Sequence, residues 1–484
     1  MGSEIFDVLI LGGGINGAGT ARDLALRTKI SGKPLRIALV EQNHFSSGTS
    51  GKNSHLIHGG LRYLKQFDFG LVRESLHERE VLLRIAPHLV EPLAFLMPIS
   101  GWPREIFYHT GLALYDLLSG AGSLPKHRRV PLDEVRRIEP TLGLPGMTGA
   151  AEYFDAKVRS ARVVLENIFE AVANGAACAN YVRAERKTRD GEGWRVQLRD
   201  RISDRAIETQ ARILVDATGP WAQEPAPRLV RGSHIVLPRL NASDHAIAYF
   251  EESGRILFFI PWDNRTLVGT TDVDHTGSPD EVAISEDEIR YLRSMVERVF
   301  PHSANVEPLA MFSSLRPLLA SSASATRARR DHRIFRDEQG IVRITGGKFT
   351  TYRAMSEEAA DLAAPELSQV HATAEHPLNG NSREAIEELM MQAPALASRY
   401  SIETAEVVEL IKDYGVLAPE VLDRLPNSAE ELSRTVAARL TFGIRHEMVL
   451  RPRDFLEVST TIGLEGRRDV AAAVERHFPP GCSI

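Results

Sequence analysis

Cysteine is nearly absent from this chain of 484 residues, which contains only Cys178 and Cys482, far apart in the sequence. Two such distant cysteines exclude a disulfide framework and a cysteine-based zinc cluster, so no metal site is predicted. Low cysteine content also favours a reducing compartment, and we therefore expect the protein in the cytoplasm.

Long apolar runs and an excess of positive charge are also missing. No uninterrupted apolar stretch reaches the roughly 18 residues that a bilayer-spanning helix requires. The formal net charge is −6, from 58 basic and 64 acidic residues, so non-specific nucleic-acid binding is not expected. The remaining composition, 43% hydrophobic and 25% charged, is that of a globular protein.

A glycine-rich turn near the N-terminus is the strongest local pattern. The apolar run Phe6–Leu11 predicts a buried strand, and Thr20–Arg27 predicts the start of a helix. Between them, Gly12, Gly14 and Gly17 have the spacing G-x-G-x-x-G. Such glycines form the tight turn, let the backbone approach a pyrophosphate, and let the helix pack closely on the strand. This order predicts a dinucleotide-binding unit.

The second strand of that unit, Arg36–Val40, ends in Glu41. A carboxylate at this position accepts hydrogen bonds from ribose hydroxyls and repels a 2′-phosphate, so the site suits FAD or NAD rather than NADP. The following segment, Asn43–His58, is rich in Ser, Thr and Gly. It is either a solvated loop or a wall for a pyrophosphate or an isoalloxazine ring.

The rest of the chain mixes strands and helices. Helical spacing covers Asp68–Ile85 and Ile106–Leu118, and Tyr153–Gly175 is interpreted as helical as well. Ala211–Gly219 predicts a buried strand that returns to the nucleotide-binding sheet and ends in a glycine turn. From Ser382 onward the pattern is helical and predicts a separate C-terminal domain.

Several long strings in the sequence resemble those of the FAD-dependent glycerol-3-phosphate dehydrogenases, in the same order across residues 5–360. These strings are GGGINGAG, HLIHGGLRYL, SARVVLEN, DATGPW, RGSHIVLPR, FFIPW with VGTTDVD, SLRPL and GGKFTTYR, and RHEM at Arg445–Met448 fits the family's C-terminal domain. His55 departs from the pattern, since the family often has Lys there.

The resemblance implies an α/β fold with three parts: a glutathione-reductase-like, Rossmann-like FAD-binding domain, an antiparallel-sheet substrate domain and a helical C-terminal domain. The expected ranges are 1–75, 152–222 and 310–375 for the FAD-binding domain, 76–151 and 223–309 for the substrate domain, and 382–484 for the C-terminal domain. Asp216 and Asp272 are interpreted as structural residues.

The family's substrate is a phosphate monoester with a secondary alcohol, which needs cations for its phosphate and a base for its hydroxyl proton. The candidates for the phosphate are Arg62, Tyr63, Arg316, Arg330 and Lys348. Lys348 alternatively stabilises the reduced flavin beside N1–C2. His58 and His234 are both candidates for the base, with the assignment left open, and Arg316 alternatively stabilises the alkoxide.

The predicted cofactor is FAD. Its predicted contacts are Gly12, Gly14, Asn16, Gly17, Glu41, Thr49, Ser50, Ser54, Leu56, Val182, Gly219, Lys348, Thr350 and Thr351. Val182 is assigned to adenine through its backbone, Gly219 to the phosphates, and Thr350 and Thr351 supply backbone N–H groups at a helix start.

The resemblance implies oxidation of sn-glycerol 3-phosphate to dihydroxyacetone phosphate, with hydride transfer from C2 to flavin N5 and electrons passed to a membrane quinone. The alternatives are an oxidase that uses O2, another flavin amine or 2-hydroxyacid oxidase, and a non-catalytic scaffold. The oxidases typically carry an insertion that this sequence lacks, and the set of basic residues favours a phosphate substrate.

A quinone acceptor implies peripheral attachment to the inner face of the cytoplasmic membrane. The candidate surface is the apolar stretch Ile99–Leu118, with Trp102, Tyr108 and Tyr115 as interface anchors and Arg104 and Lys126 beside anionic lipid. Core packing is the alternative interpretation of the same stretch. A homodimer is left open.

Overall fold

The computed structural model describes residues 5–64, 68–120, 122–224, 226–303, 305–319 and 332–479. The strands are β1 (Ile5–Leu11), β2 (Ile37–Val40), β3 (Leu56–Ile57), β4 (Val90–Ile99), β5 (Arg128–Pro131), β6 (Gly149–Val158), β7 (Ala177–Ala179), β8 (Val182–Asp190), β9 (Gly193–Asp200), β10 (Ala206–Asp216), β11 (Arg228–Pro238), β12 (Ala246–Phe250), β13 (Ile256–Trp262), β14 (Arg265–Gly269), β15 (Val273–Asp274), β16 (Ala310–Leu318), β17 (His332–Arg336) and β18 (Val342–Gly346).

The helices alternate with these strands and then follow them. They are α1 (Ile15–Ser31), α2 (Leu61–Leu64), α3 (Phe69–Ile85), α4 (Trp102–Ser119), α5 (Leu132–Ile138), α6 (Ser160–Ala173), α7 (Glu286–Val299), α8 (Tyr352–Ala363), α9 (Arg383–Tyr400), α10 (Thr404–Tyr414), α11 (Ala418–Leu422), α12 (Arg434–His446), α13 (Pro452–Asp454) and α14 (Arg468–His477).

The first sheet has the strand order β17-β18-β10-β1-β2-β7 and is parallel from β18 to β7. β8 and β9 extend it as an antiparallel ribbon beside β10. Helices α1, α6 and α8 pack together on it. β1 is apolar at every position except Asp7, because parallel strands are covered on both faces. Buried Arg22 of α1 pairs with Glu170 of α6, and buried Arg27 pairs with Asp23 and with Asp361 of α8. This sheet confirms the predicted Rossmann-like domain.

The second sheet has the order β15-β11-β14-β13-β12-β4-β6-β3, with β16 beside β11 and β5 beside β6. Its neighbours are antiparallel except for β12 and β4. Helix α7 covers its core, where Phe259, Leu292 and Val299 are buried. This confirms a second, largely antiparallel sheet.

The second sheet also corrects two details of the sequence interpretation. Tyr153–Gly175 is not helical throughout, since β6 continues to Val158 before α6 begins. β6 pairs with β4 along its full length, and this long-range pairing outweighs local helix propensity. The expected domain boundary at residue 152 therefore cuts a strand, and the boundary at 310 assigns β16 to the wrong sheet.

The helical C-terminal domain is confirmed over α9 to α14, with two apolar cores of its own. The Ser382 side chain accepts a hydrogen bond from the Ala385 N–H at 3.2 Å and so begins α9. Arg162 on α6 pairs with Glu447, and Arg159, directly before α6, pairs with Asp413 at 2.6 Å. These ion pairs attach the C-terminal domain to α6 of the FAD-binding domain.

Helix α4 confirms the predicted helix at Ile106–Leu118 and corrects its proposed anchors. Trp102 and Leu117 are 72% and 75% exposed, whereas Tyr115 is buried and donates a 2.7 Å hydrogen bond to Asp155. Tyr115 therefore cannot anchor the helix in a membrane, and Tyr108 is half-buried. In the part of the chain that the structure describes, no helix has both the length and the apolar content for crossing a bilayer.

Candidate active site

A cavity of about 600 Å³ lies along the carboxyl ends of β1, β2, β10 and β18 and continues against β11 and β16. The carboxyl edge of an open parallel sheet is where such folds bind ligands. The predicted site residues that line it are Gly12, Gly14, Asn16, Glu41, Thr49, Ser50, Ser54, Leu56, His58, Tyr63, Val182, Gly219, His234, Arg316, Lys348 and Thr350.

Four predicted residues are not among those lining residues. Gly17 packs behind the glycine turn that begins at Gly12. Thr351 is buried at the end of the short 3₁₀ helix Phe349–Thr351. Arg330 and the side chain of Arg62 lie outside the described residues.

The glycine turn has the geometry that its spacing predicts. Gly12 has φ of +105°, and a Cβ there would lie 2.5 Å from the Ala217 carbonyl oxygen. A Cβ on Gly17 would lie 1.9 Å from the Gly12 carbonyl oxygen, so only glycine fits either position. The side-chain oxygen of Asn16 is buried here and has no hydrogen-bond partner within the part of the chain that the structure describes. This concave N-terminus of α1 fits the pyrophosphate of a dinucleotide.

Glu41 closes the nucleotide end of the cavity. Its carboxylate accepts hydrogen bonds from the Gly13 N–H at 2.7 Å and the Asn43 N–H at 2.8 Å, and burial raises its pKa. A carboxylate has about four acceptor positions, so it can still accept from a ribose. The Val182 N–H already donates to the Glu41 carbonyl at 2.8 Å, and the backbone contact of Val182 with adenine stays a prediction.

The polar loop after β2 ties the two sheets together. The Ser50 hydroxyl accepts a 2.9 Å hydrogen bond from the Ile15 N–H at the start of α1. The Thr49 hydroxyl donates to the Leu315 carbonyl at 2.5 Å. These side chains therefore support the cavity wall, and their direct contact with FAD stays a prediction.

His234 and Arg316 bring ionisable groups to the other end of the cavity. Arg316 on β16 lies opposite Val230 on β11, so its side chain shares a face with His234. Gly232 lies between them, and a Cβ there would come within 2.5 Å of the Arg316 guanidinium. Opposite His234 on β14 is Gly269, where a Cβ would meet the imidazole at 2.2 Å. Glycine at both positions makes room for the two functional side chains.

Arg316 is oriented by residues that the sequence interpretation did not assign to the site. Its guanidinium donates to the Thr270 hydroxyl at 2.7 Å, the Thr271 carbonyl at 3.2 Å and the Asp272 carboxylate at 3.1 Å. The TTDVD string directly after β14 is the sequence signal that could have indicated them. The structural role predicted for Asp272 agrees with these contacts.

His234 is a buried, neutral imidazole. Burial and the nearby Arg316 lower its pKa well below the usual value. Its Nε2 lies 2.9 Å from the Ser54 hydroxyl, and its ring stacks on Phe312 at 5.1 Å. Its Nδ1 is buried and has no hydrogen-bond partner among the described residues. A neutral imidazole keeps one unprotonated ring nitrogen, which can accept a proton from a bound alcohol.

Lys348 and His58 approach the same cavity from neighbouring loops. The predicted order of strand, Gly-Gly-Lys and helix start is confirmed by β18, the 3₁₀ turn and α8. The Lys348 ammonium donates to the Ser75 hydroxyl at 2.8 Å and lies 4.2 Å from the Tyr63 ring centroid. The His58 N–H donates to the Thr350 hydroxyl at 3.3 Å, which joins the two loops.

An aromatic wall near His58 was not predicted. Phe95 stacks on Tyr153 at 5.0 Å and meets Phe258 edge-on at 5.9 Å, and all three line the cavity. They come from three strands of the second sheet, so only the sheet order brings them together.

Family comparisons agree with this site. Residues 7–362 match the FAD dependent oxidoreductase family, and residues 371–478 match the C-terminal domain of alpha-glycerophosphate oxidase. The chain is 34% identical to a glycerol-3-phosphate dehydrogenase of Pseudomonas aeruginosa, over 96% of this chain and 93% of that protein. It is 36% identical to D-erythritol 1-phosphate dehydrogenase of Brucella abortus, over 73% and 72%.

A solved structure extends the similarity to three dimensions. The glycerol-3-phosphate dehydrogenase of Bacillus halodurans complexed with FAD is 26% identical and superimposes with a TM-score of 0.78, over 98% of this chain and 91% of that one. The glycine turn, Glu41 and the cavity along the strand ends fit that cofactor. The chain therefore belongs to the FAD-dependent glycerol-3-phosphate dehydrogenase family, and it is an enzyme whose cofactor is FAD.

Proposed function

We propose that the enzyme oxidises sn-glycerol 3-phosphate to dihydroxyacetone phosphate and that a membrane quinone accepts the electrons. One observation carries the proposal: two cations, Arg316 and Lys348, line the same cavity as His58 and His234. A phosphate dianion needs cations to bind it, and an alcohol that loses its proton needs a base such as histidine. The relative from Pseudomonas aeruginosa is named for the same substrate.

The protein's own residues bind the substrate through its charge. Lys348 and Arg316 attract the phosphate dianion, and Asp272 holds the Arg316 guanidinium in place. Lys348 also fits its alternative predicted role, which is to stabilise the reduced flavin beside N1–C2. A KM that rises in Lys348→Met with an unchanged flavin potential would assign Lys348 to the phosphate.

Proton removal falls to an imidazole. His234 Nε2 lies 2.9 Å from the Ser54 hydroxyl, and because His234 is neutral, one of its ring nitrogens is unprotonated and can take a proton. His58, on the loop after β3, is the second candidate. The chemistry that bound FAD supplies is acceptance, at N5, of the hydride that leaves C2.

Anaerobic mixing with substrate tests the proposal. We expect sn-glycerol 3-phosphate to bleach the flavin absorbance of the holoenzyme, and D-erythritol 1-phosphate to bleach it much more slowly. The second compound is the control because one relative is named for it. Bleaching by D-erythritol 1-phosphate alone would transfer the assignment to that substrate, and bleaching by neither would refute the proposal.

The electron acceptor needs a separate experiment. We expect the reduced enzyme to be reoxidised rapidly by a soluble quinone analogue and slowly by air. Rapid reoxidation by air would instead support the oxidase alternative.

Peripheral attachment to the inner face of the cytoplasmic membrane is the third part of the proposal. The exposed face of α4 supports it through Trp102, Ile106, Phe107 and Leu117. We expect the enzyme to float with anionic lipid vesicles and the Trp102→Ser/Leu117→Ser variant to remain in solution. A wild-type enzyme that does not bind vesicles and is fully active without lipid would contradict it.

A further inference from the structure

The C-terminal domain contacts the segments that form the wall of the FAD cavity through its residues 447–458. This stretch, here called the clamp segment, contacts the start of β8 and the loop after β2, both of which line the cavity. The Tyr181 hydroxyl donates to the Asp454 carboxylate at 2.5 Å. The Asn180 side-chain amide donates to the Met448 carbonyl at 2.8 Å. Two successive residues before β8 are thus bound to the same segment.

Asp454 is the centre of the clamp segment. It is buried, and its second oxygen accepts from the backbone N–H groups of Leu450 and Arg451, both at 2.9 Å. The Arg451 guanidinium lies 4.7 Å from the Tyr181 ring centroid. Tyr181 itself has φ of +54°, a left-handed conformation that a non-glycine residue keeps only when its surroundings hold it. The clamp segment supplies those surroundings.

Tyr181 is connected directly to the nucleotide end of the cavity. Its N–H donates to the Asn43 carbonyl at 2.9 Å, and the next N–H, of Val182, donates to the Glu41 carbonyl at 2.8 Å. Glu41 in turn accepts the Gly13 N–H of the glycine turn. A chain of short contacts therefore runs from Asp454 through Tyr181 to the turn that holds the pyrophosphate.

The far end of the loop after β2 has a second connection. Lys52 pairs with Glu457 at 2.9 Å, and both side chains are largely buried. Between these two connections lie Thr49 and Ser50, which line the cavity. The clamp segment thus holds one end of the loop directly, through Glu457, and the other end through Tyr181.

We propose that the C-terminal domain positions the FAD site, with the clamp segment holding the loop after β2 and the start of β8 in the arrangement that binds FAD. Tyr181, Asp454, Lys52 and Glu457 are the positioning residues. The proposal depends on FAD as the cofactor and is independent of which alcohol is oxidised.

Titration of the apoprotein with FAD, followed by flavin fluorescence, tests this. We expect Tyr181→Phe and Asp454→Asn each to raise the Kd for FAD about tenfold, since a hydrogen bond to a charged group is lost. At saturating FAD the KM for the substrate stays unchanged. Tyr400→Phe is the matched control. It also removes a tyrosine–aspartate hydrogen bond, the one to Asp423, which lies within the C-terminal domain and away from the cavity.

Two further variants keep the test decisive. The Kd for FAD of the double variant Tyr181→Phe/Asp454→Asn should not exceed that of the single variant with the higher Kd. Both changes remove the same interaction, so their effects should not add. Lys52→Met should also raise the Kd without lowering the melting temperature of the apoprotein. An unchanged Kd in folded Tyr181→Phe, Asp454→Asn and Lys52→Met, or an equal rise in Tyr400→Phe, would overturn the proposal.

Discussion

The two ends of the cavity are formed by different chemical groups. The nucleotide end consists of backbone around Gly12 and Gly17 with one carboxylate, Glu41. The substrate end consists of ionisable side chains, among them His234 and Arg316, on separate strands of the second sheet. The first end thus recognises its ligand by close fit, and the second recognises its ligand by charge and proton exchange.

Glycine has a different purpose at each end. At the nucleotide end, Gly12 and Gly17 let backbone approach backbone, which leaves N–H groups open to a ligand. At the substrate end, Gly232 and Gly269 make space for the protein's own Arg316 and His234 side chains. Glycines at the two ends of one cavity therefore serve unrelated physical needs.

The largest effect is expected from Gly17→Ala, because the new Cβ would collide with the Gly12 carbonyl oxygen. We expect a loss of about 3 kcal/mol in the free energy of unfolding and purification without FAD. Gly111→Ala is the control, since no atom of the described residues beyond its own helical turns lies within 4 Å of a Cβ there. Thermal unfolding and the flavin content of the purified protein measure both variants. An FAD-bound Gly17→Ala enzyme of normal stability would show that close fit does not define this end.

His234→Gln should have the next largest effect and tests proton exchange at the substrate end. We expect kcat to fall about a hundredfold with FAD still bound, as for loss of a general base. The low pKa of His234 keeps it neutral, so wild-type activity is lost only as the pH falls below the usual 6.5 and protonates it. This acidic limb should be absent from the pH profile of His234→Gln. Loss of the limb in His58→Gln instead would identify His58 as the base.

Arg316→Lys tests the contribution of charge geometry. A lysine keeps the charge but cannot reproduce the paired contacts to Thr270 and Asp272, so we expect kcat/KM to fall about thirtyfold with unchanged FAD content. Steady-state kinetics of Arg333→Lys, which changes an exposed arginine on β17, provides the control. If kcat/KM were the same for the two variants, Arg316 would have no role in substrate binding.

The two ends also differ in how far the sequence alone predicts them. The strand, glycine turn, helix and Glu41 follow one another within 41 residues, so local spacing is sufficient to predict the nucleotide end. The contacts that orient Arg316 and the hydrogen bond between Ser54 and His234 depend on strand register between distant segments. Spacing along the chain contains no information about that register. The interpretation of residues 153–158 as helical has the same cause, since the pairing of β6 with β4 is a long-range contact.

Glu41→Gln should have the smallest effect and completes the comparison. The glutamine keeps the shape but places an amide NH2 where the carboxylate accepts one of two backbone N–H groups, so we expect a rise of about fivefold in the Kd for FAD. Glu185→Gln is the control, because Glu185 lines the same cavity but pairs with Arg199. If Glu41→Gln weakened FAD binding as strongly as Gly17→Ala, charge would matter at the nucleotide end as much as fit. The distinction between the two ends would then fail, because each would depend on an ionised side chain.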